Sequence, residues 1–217
     1  GTRLDHPRDH RCLIGIGAQI EGDLRLPRLS AHGGSLNLRA ARIGGTVDAQ
    51  AADLRNPDDK TLGLQHAIVA GNVRMCQGFR SDGLVLLNRA DIQGRLRCDA
   101  GTFTWDPPAE RREEAELNPL GSAFEAISAT VRAGIGLGWK IESGGVDFTD
   151  ATTSFLADRA EQDWPTPSHL TGFTYQRWAP AIMTDHGRGD WDPEVRAQWL
   201  ARVGGTDSRP WEQAAKV

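Results

Sequence analysis

The sequence has little cysteine and no long apolar segment. Its longest apolar stretch, GLVLL at 83–87, is far shorter than the roughly 20 residues that a membrane-spanning helix needs. Residues 1–12 lack the apolar core of a signal peptide. The three cysteines are an odd number, and Cys76 and Cys98 lie within the repeats described below. These features favour free thiols over a disulfide framework. They predict a cytoplasmic protein with no membrane span in this chain.

A large excess of one charge is also missing. The 217 residues carry 25 lysines and arginines against 29 aspartates and glutamates, a net charge of -4. This imbalance is too small to indicate a surface for nucleic acid or a membrane. The apolar fraction of 39% suffices for one sizeable domain or a domain with an appendage.

The most informative feature is an internal repeat. ARIGGTVDA at 41–49 returns as ADIQGRLRC at 90–98, 49 residues later. The unit has the form A-x-I-x-G-x-L-x-L and occurs five times, and a second, glycine-led unit is interleaved with it. The first unit places three sets of apolar residues at equivalent positions: Ile20, Ile43, Val69, Ile92 and Val131; Leu24, Val47, Val73, Leu96 and Ile135; and Leu26, Ala49, Met75, Cys98 and Leu137.

This pattern predicts an all-β fold. Alternating apolar residues indicate strands, but each stretch is only about 4 to 6 residues long and cannot be stable alone. If about 23 residues complete one circuit, equivalent strands stack in parallel and like side chains form ladders inside the coil. We therefore expect a single-stranded right-handed β-helix of about six coils. A β-sandwich of short strands is the alternative.

The repeat also suggests how the chain is organised. We expect a lead-in or cap over residues 1–17, a β-solenoid over 18–155, and a loop with an aromatic extended segment over 156–190. Asp192 and Pro193 form a helix start signal, so residues 191–217 are predicted to form a short helical cap. The last predicted helix runs to Val217 without a stop signal and is expected to be truncated there. The cap would cover the open end of the solenoid.

Three loops interrupt the repeat at what we interpret as equivalent phase, at 56–61, 104–122 and 156–169. They hold ten acidic and four basic residues, so acidity concentrates on one predicted edge of the rod. We expect that edge to bind a protein partner or to mediate self-association; solvated loops that keep the rod soluble are the alternative. The predicted contact residues are Asp58, Asp59, Trp105, Glu110, Glu113, Glu114, Glu116, Asp158, Glu161, Asp163 and Trp164.

Chemistry-bearing motifs are weak. GIGAQI at 15–20 and GIGLGW at 134–139 lack the third glycine of a dinucleotide-binding turn, so no cofactor is expected. HPRDHRC at 6–12 and DHGRGDWD at 185–192 do not present metal ligands in a favourable arrangement. Ser30 lies near His32, but the pattern places no orienting acid beside them. We predict no catalytic, cofactor or metal residues.

The units ARIGG and ADIQG, the stretch GFRSDGLVLLNRADIQGRLRCDAGTF at 78–103 and the tail from LTGFTYQRW to RPWEQAAKV carry a resemblance. In them the chain resembles repeat proteins of Streptomyces and related actinobacteria that are often labelled membrane-associated oxidoreductase. It is also similar to pentapeptide-repeat proteins and bactofilins, which implies a β-solenoid. The resemblance supplies no catalytic residues.

Three functions follow as hypotheses. The first is a non-enzymatic repeat scaffold that binds a protein or copies of itself, without nucleic acid or a small-molecule substrate. The second is mimicry of a nucleic-acid duplex to bind a DNA-handling enzyme, which the slightly basic coil body disfavours. The third is an unrecognised enzyme, redox if the family label applies.

Overall fold

The computed structural model describes residues 2–5, 11–106, 121–158, 165 and 167–180. Within these ranges the regular structure is entirely β, and 23 strands form two parallel sheets. The chain winds through the two sheets alternately, as a β-solenoid of about six turns. The predicted fold class is confirmed at this level.

Each coil crosses each sheet once and then turns. Most crossings are divided by a bend into two short strands. Sheet A contains β1 (Arg3–Asp5), β2 (Arg11–Ile14), β5 (Ser30–His32), β6 (Ser35–Asn37), β9 (Asp53–Gly63), β12 (Arg80–Leu86), β15 (Thr102–Thr104), β16 (Ser122–Glu125), β19 (Lys140–Ile141), β20 (Gly145–Asp147) and β22 (Ser168–His169). Sheet B contains β3 (Gln19–Ile20), β4 (Leu24–Arg25), β7 (Arg42–Ile43), β8 (Val47–Asp48), β10 (Ile68–Val69), β11 (Val73–Arg74), β13 (Asp91–Ile92), β14 (Arg95–Arg97), β17 (Thr130–Val131), β18 (Gly134–Leu137), β21 (Thr152–Asp158) and β23 (Thr174–Pro180).

The predicted ladders form the core. Ile43 pairs with Ile20 on one side and with Val69 on the other, and Ile92 follows Val69 in the same sheet. Val47, Val73 and Leu96 stack in the second ladder and are fully buried. Each apolar side chain is therefore covered by its equivalents one coil away, which an isolated coil could not achieve.

In the later coils the core becomes aromatic. Phe79, Phe103 and Phe124 lie in a row with ring centroids 5.4 and 5.5 Å apart. The row continues through Phe148 to Phe173, and Trp139 packs edge-on against Phe124 at 5.2 Å. Tilted and edge-to-face contacts at these distances are the favourable geometry for aromatic rings.

Glycine bends every early crossing of sheet B. A Cβ on Gly94 would lie 2.4 Å from the carbonyl oxygen of Gly71, and one on Gly71 would lie 2.7 Å from the carbonyl carbon of Gly45. Because the coils touch through backbone here, only glycine fits. Gly22 lies in the first crossing, and a Cβ there would meet nothing within 4 Å.

Polar side chains join the coils beside these glycines. The backbone N–H of Thr46 donates to Asp23 Oδ1 at 2.7 Å, that of Asn72 to Thr46 Oγ1 at 3.3 Å, and that of Arg95 to Asn72 Oδ1 at 2.9 Å. The bend removes these N–H groups from the sheet ladder, so each coil supplies the acceptor for the next.

Two stacks of tight turns connect the sheets. One stack holds Arg28, Ala51, Gln77 and Ala100, and the other holds Ala40, His66, Arg89, Ser128 and Asp150, all with positive φ near 55°. The turns close by hydrogen bonds such as Ala41 N–H to Leu38 O at 3.0 Å. A left-handed residue lets the chain reverse within two residues.

The stack extends past both predicted solenoid boundaries. β1 and β2 pair with β5 and β6 before residue 18. Beyond residue 155, β22 pairs with β20 and β23 pairs with β21. The predicted helical cap over 191–217 lies outside the described residues.

Candidate interaction faces

The first predicted loop is a bulge within a strand rather than a free loop. In β9, residues 56–59 stand opposite the single residue Gly83 of β12, between the pairs Arg55–Asp82 and Lys60–Leu84. Gly83 adopts a φ of 133°, and a Cβ there would lie 2.4 Å from the carbonyl oxygen of Asn56. The bulge therefore requires glycine beneath it.

Buried polar contacts hold the bulge in shape. Asn56 is 2% exposed and donates from Nδ2 to the carbonyl oxygen of Lys60 at 2.8 Å. Below it, the hydroxyls of Thr61 and Ser81 lie 2.6 Å apart, and Ser81 donates to the carbonyl oxygen of Gly83 at 2.9 Å. These bonds satisfy groups that would otherwise be costly to bury.

Two predicted contact residues lie on the bulge. Asp58 is exposed and Asp59 is partly buried. Both can reach solvent, as a contact with a partner requires.

The prediction that Trp105 stands on an exposed loop is wrong. The tryptophan is 5% exposed and belongs to the hydrophobic core. In β15 the side chains of Thr102 and Thr104 face outward and Phe103 faces inward, and the same alternation places Trp105 inside. The break in the repeat begins after this residue rather than before it.

Of the other predicted contact residues, Asp158 alone lies in the described part of the chain. Asp158 is the last residue of β21, in sheet B. Glu110, Glu113, Glu114, Glu116, Glu161, Asp163 and Trp164 lie outside the described residues. The acidic cluster on these segments stays a prediction.

The first two breaks in the repeat do share one phase. The bulge lies between the two halves of β9, and the segment after β15 lies between β15 and β16, which are the two halves of the same kind of crossing. Both breaks thus lie in the middle of sheet A. The third begins elsewhere, because the chain leaves sheet B at Asp158 and enters sheet A at Ser168.

Sheet A also carries an outward-facing set of charged and hydroxyl-bearing residues that the sequence reasoning missed. We call them the charge rows: in each coil, two outward-facing residues flank one inward-facing residue. The rows are Ser30 with His32, Asp53 with Arg55, Arg80 with Asp82, Thr102 with Thr104, and Lys140 with Glu142. The signal was present in the sequence as SAH, DLR, RSD, TFT and KIE, one triplet per coil.

Ion pairs within the rows are well formed. Arg55 donates from Nε and Nη2 to the two oxygens of Asp53 at 3.1 and 2.9 Å. These hydrogen bonds from Arg55 hold the pKa of the Asp53 carboxyl below its usual value, against a smaller opposing effect of burial. Lys140 Nζ lies 2.7 Å from Glu142 Oε1 and lowers the pKa of that glutamate in the same way.

The structure does place an acid beside Ser30 and His32, but in the wrong position for a catalytic triad. The Ser30 hydroxyl lies 3.1 Å from His32 Nε2, and Asp53 Oδ2 lies 3.3 Å from the same nitrogen. A triad needs the nucleophile on one ring nitrogen and the acid on the other. The cluster is therefore a hydrogen-bonded part of the charge rows.

A buried acid lies farther along sheet A. Glu125 and Asp147 are neighbours on adjacent strands, and each is 2% exposed. Burial raises the pKa of the Glu125 carboxyl to about 7; a hydrogen bond from Asn88 at 2.9 Å lowers it and nearby Asp147 raises it. Asn88 also accepts the backbone N–H of Ile127 at 3.0 Å, so it links the acid to the next turn.

The described residues include three thiols, of which two are buried. Cys12, Cys76 and Cys98 are all free, as predicted. Burial raises the pKa of the Cys76 and Cys98 thiols, which disfavours the reactive thiolate form.

Among the described residues, no group of three histidines, cysteines or acids is arranged to hold a metal ion. His6, His10 and the motif at 185–192 lie outside those residues. In the same part of the chain, no helix has the length and hydropathy needed to span a membrane.

No protein-family model, no curated protein and no solved structure matches the chain.

Proposed function

We propose that this chain is a non-enzymatic repeat scaffold: a rigid β-solenoid that presents acidic residues from sheet A for binding a protein partner or a second copy. One observation carries the proposal. The strands of sheet B recur with nearly constant spacing. In contrast, the bulge at 56–59 and the break between β15 and β16 both lie in the middle of a sheet A crossing. Segments that vary on a constant frame are the usual place for binding residues.

The proposal keeps the predicted contact residues except Trp105, whose ring is buried, and Asp158, which ends a strand of sheet B. Asp58 and Asp59 are included because they lie on the bulge at the shared phase. The right-handed winding, the helical cap over 191–217 and the cytoplasmic location belong to the same proposal, as does the kinship with actinobacterial repeat proteins. Buried free thiols agree with a reducing compartment.

Duplex mimicry gains no support from the exposed surface of sheet A. A mimic needs acidic side chains in uninterrupted lines, and the charge rows alternate acids with arginine and lysine. We do not propose it.

The test is partner capture from a host lysate with the tagged chain. Replacing Glu110, Glu113, Glu114 and Glu116 by glutamine removes four charges at the predicted edge and should abolish capture with little change in melting temperature. The matched control removes four acids elsewhere, with Glu21→Gln, Asp48→Asn, Asp91→Asn and Asp150→Asn, and should capture normally. Equal capture by both variants would refute the proposed edge.

A further inference from the structure

The charge rows face outward, partly or fully exposed, and form a surface whose charges are complementary to those of a second copy. Each charged row holds one residue of each sign, and the remaining rows hold hydroxyls or Ser30 with His32. We propose that a second copy of this chain docks on the charge rows face to face, about a two-fold axis that runs along the solenoid. This inference rests on the proposed function, of which self-association is one form.

The charge rows stack into two columns along the solenoid: one holds Ser30, Asp53, Arg80, Thr102 and Lys140, and the other holds His32, Arg55, Asp82, Thr104 and Glu142. The symmetry of the proposed dimer follows from these columns. A two-fold axis parallel to the solenoid and midway between the columns leaves every row at its own level and exchanges the columns. Asp53 then faces Arg55 of the second copy, and Arg55 faces its Asp53. In the same arrangement Arg80 faces Asp82 and Lys140 faces Glu142, so every charged residue meets the opposite sign.

The antiparallel arrangement is less favourable. An axis perpendicular to the solenoid reverses the order of the rows and keeps the columns. If it is centred between the Asp53 and Arg80 rows, the central charges still match. However, Arg3, which precedes Ser30 in the first column, would then face Lys140 of the second copy. Like charges opposite each other select against this arrangement.

The size of the surface predicts a weak complex. Coils stack about 4.8 Å apart, and residues two apart along a strand are separated by about 7 Å, so five rows of two residues cover roughly 340 Å² per copy. Stable complexes usually bury about 800 Å² per partner. The charges keep part of their hydration at such an interface, so we expect a dissociation constant between about 100 µM and 1 mM that weakens further with salt.

Pairing within one chain is the competing explanation. Asp53 with Arg55 and Lys140 with Glu142 already form ion pairs in the isolated chain. If these pairs serve only their own chain, the protein stays monomeric at every concentration. The two explanations therefore predict different mean masses of the protein in solution at high concentration.

Sedimentation equilibrium of the full chain tests the proposal. Its mean mass should rise above 23.6 kDa with concentration up to about 1 mM. Asp53→Arg puts arginine opposite arginine and Arg55→Asp puts aspartate opposite aspartate, so each variant alone should associate at least about tenfold more weakly. An equimolar mixture of the two should associate like the wild type, because both facing pairs become opposite in sign.

Controls separate docking from misfolding. Lys140→Glu and Glu142→Lys repeat the experiment at a more exposed row, where folding is least at risk. Glu21→Arg and Arg42→Asp make the same charge changes on sheet B and should associate like the wild type.

Three results would overturn the inference: a wild type that is monomeric at 1 mM, association that the row variants do not weaken, or a mixture that does not recover. Loss of partner capture by the four-glutamine variant, together with a monomeric wild type, would leave the proposed function standing and remove only this inference.

Discussion

The two sheets of this solenoid use the same repeat and tolerate change differently. In sheet B, four residues separate the two inward positions of a crossing in the first five coils, as from Ile20 to Leu24 and from Val131 to Ile135. In sheet A the corresponding separation varies from four residues, between Ser81 and Val85, to 21 between Phe103 and Phe124. In sheet B, close backbone stacking between coils limits the length of each crossing. In sheet A, an outward bulge can lengthen a crossing without moving the core.

Inserting Gly-Ser into each sheet should produce the largest contrast. Between Gly71 and Asn72 of sheet B, the insertion separates coils that touch through backbone and breaks a hydrogen bond to Thr46, so cooperative unfolding should be lost. Between Asp58 and Asp59 of the sheet A bulge, the same insertion should cost less than about 1 kcal/mol. Urea unfolding followed by circular dichroism measures both. Equal losses would mean that the sheets do not differ in this way.

Gly94→Ala should destabilise the protein by about 3 kcal/mol, because the new methyl group meets the backbone of the preceding coil. Gly22→Ala is the matched control, since it lies at the same phase with open space around it, and it should change stability by less than about 0.5 kcal/mol. Chemical denaturation of the two variants measures the difference. A tolerated Gly94→Ala would show that coil spacing in sheet B is adjustable.

Glu125 of sheet A should make the free energy of unfolding depend on pH. Its pKa of about 7 in the folded chain exceeds the ordinary 4.5, so the folded state keeps a proton that the unfolded state releases. Stability should therefore be highest below pH 4.5 as far as this group is concerned, and fall by up to about 3 kcal/mol as the pH rises through 7.

Glu125→Gln should remove that dependence, because the amide oxygen still accepts from Asn88 and carries no charge. Unfolding free energies at pH 5 and pH 8 give the comparison. Glu142→Gln, at an exposed row of the same sheet, is the control and should keep the wild-type slope between these values. A wild-type slope in Glu125→Gln would assign the dependence to another group.

The smallest effect is expected at the polar link between coils of sheet B. Asn72→Ala removes the acceptor for the N–H of Arg95 and should cost about 1 kcal/mol. Asn72→Asp retains an acceptor oxygen and should lose less. Differential scanning calorimetry resolves such shifts, and an unchanged melting temperature in Asn72→Ala would show that water replaces the side chain.

The ladders could be predicted because each inward position is apolar in almost every coil, so Ile43 and Ile92 identify each other by phase. The bulge at 56–59 was harder to predict. Its polar composition is that of a free loop, whereas its shape depends on Asn56 bonding to Lys60 across the bulge and on Thr61 contacting Ser81 of the neighbouring coil. Trp105 was misplaced because the strand alternation continues one residue beyond the repeat motif.

The charge rows illustrate another limit of the sequence. Asp53 and Arg80 are separated along the chain by 27 residues and become neighbours only once the register is known. A triplet such as DLR is an ordinary strand pattern on its own. Its neighbours above and below, which decide what the face can bind, exist only in the wound chain.

The connecting turns have a practical consequence. Among the described residues, nine that are not glycine hold the left-handed backbone there, three of them alanine. Such a residue costs about 1 kcal/mol relative to glycine, and asparagine relieves part of that cost. Changing Ala40, Ala51 and Ala100 to asparagine or glycine would touch neither sheet, so a more heat-resistant form of the rod should be obtainable from its corners alone.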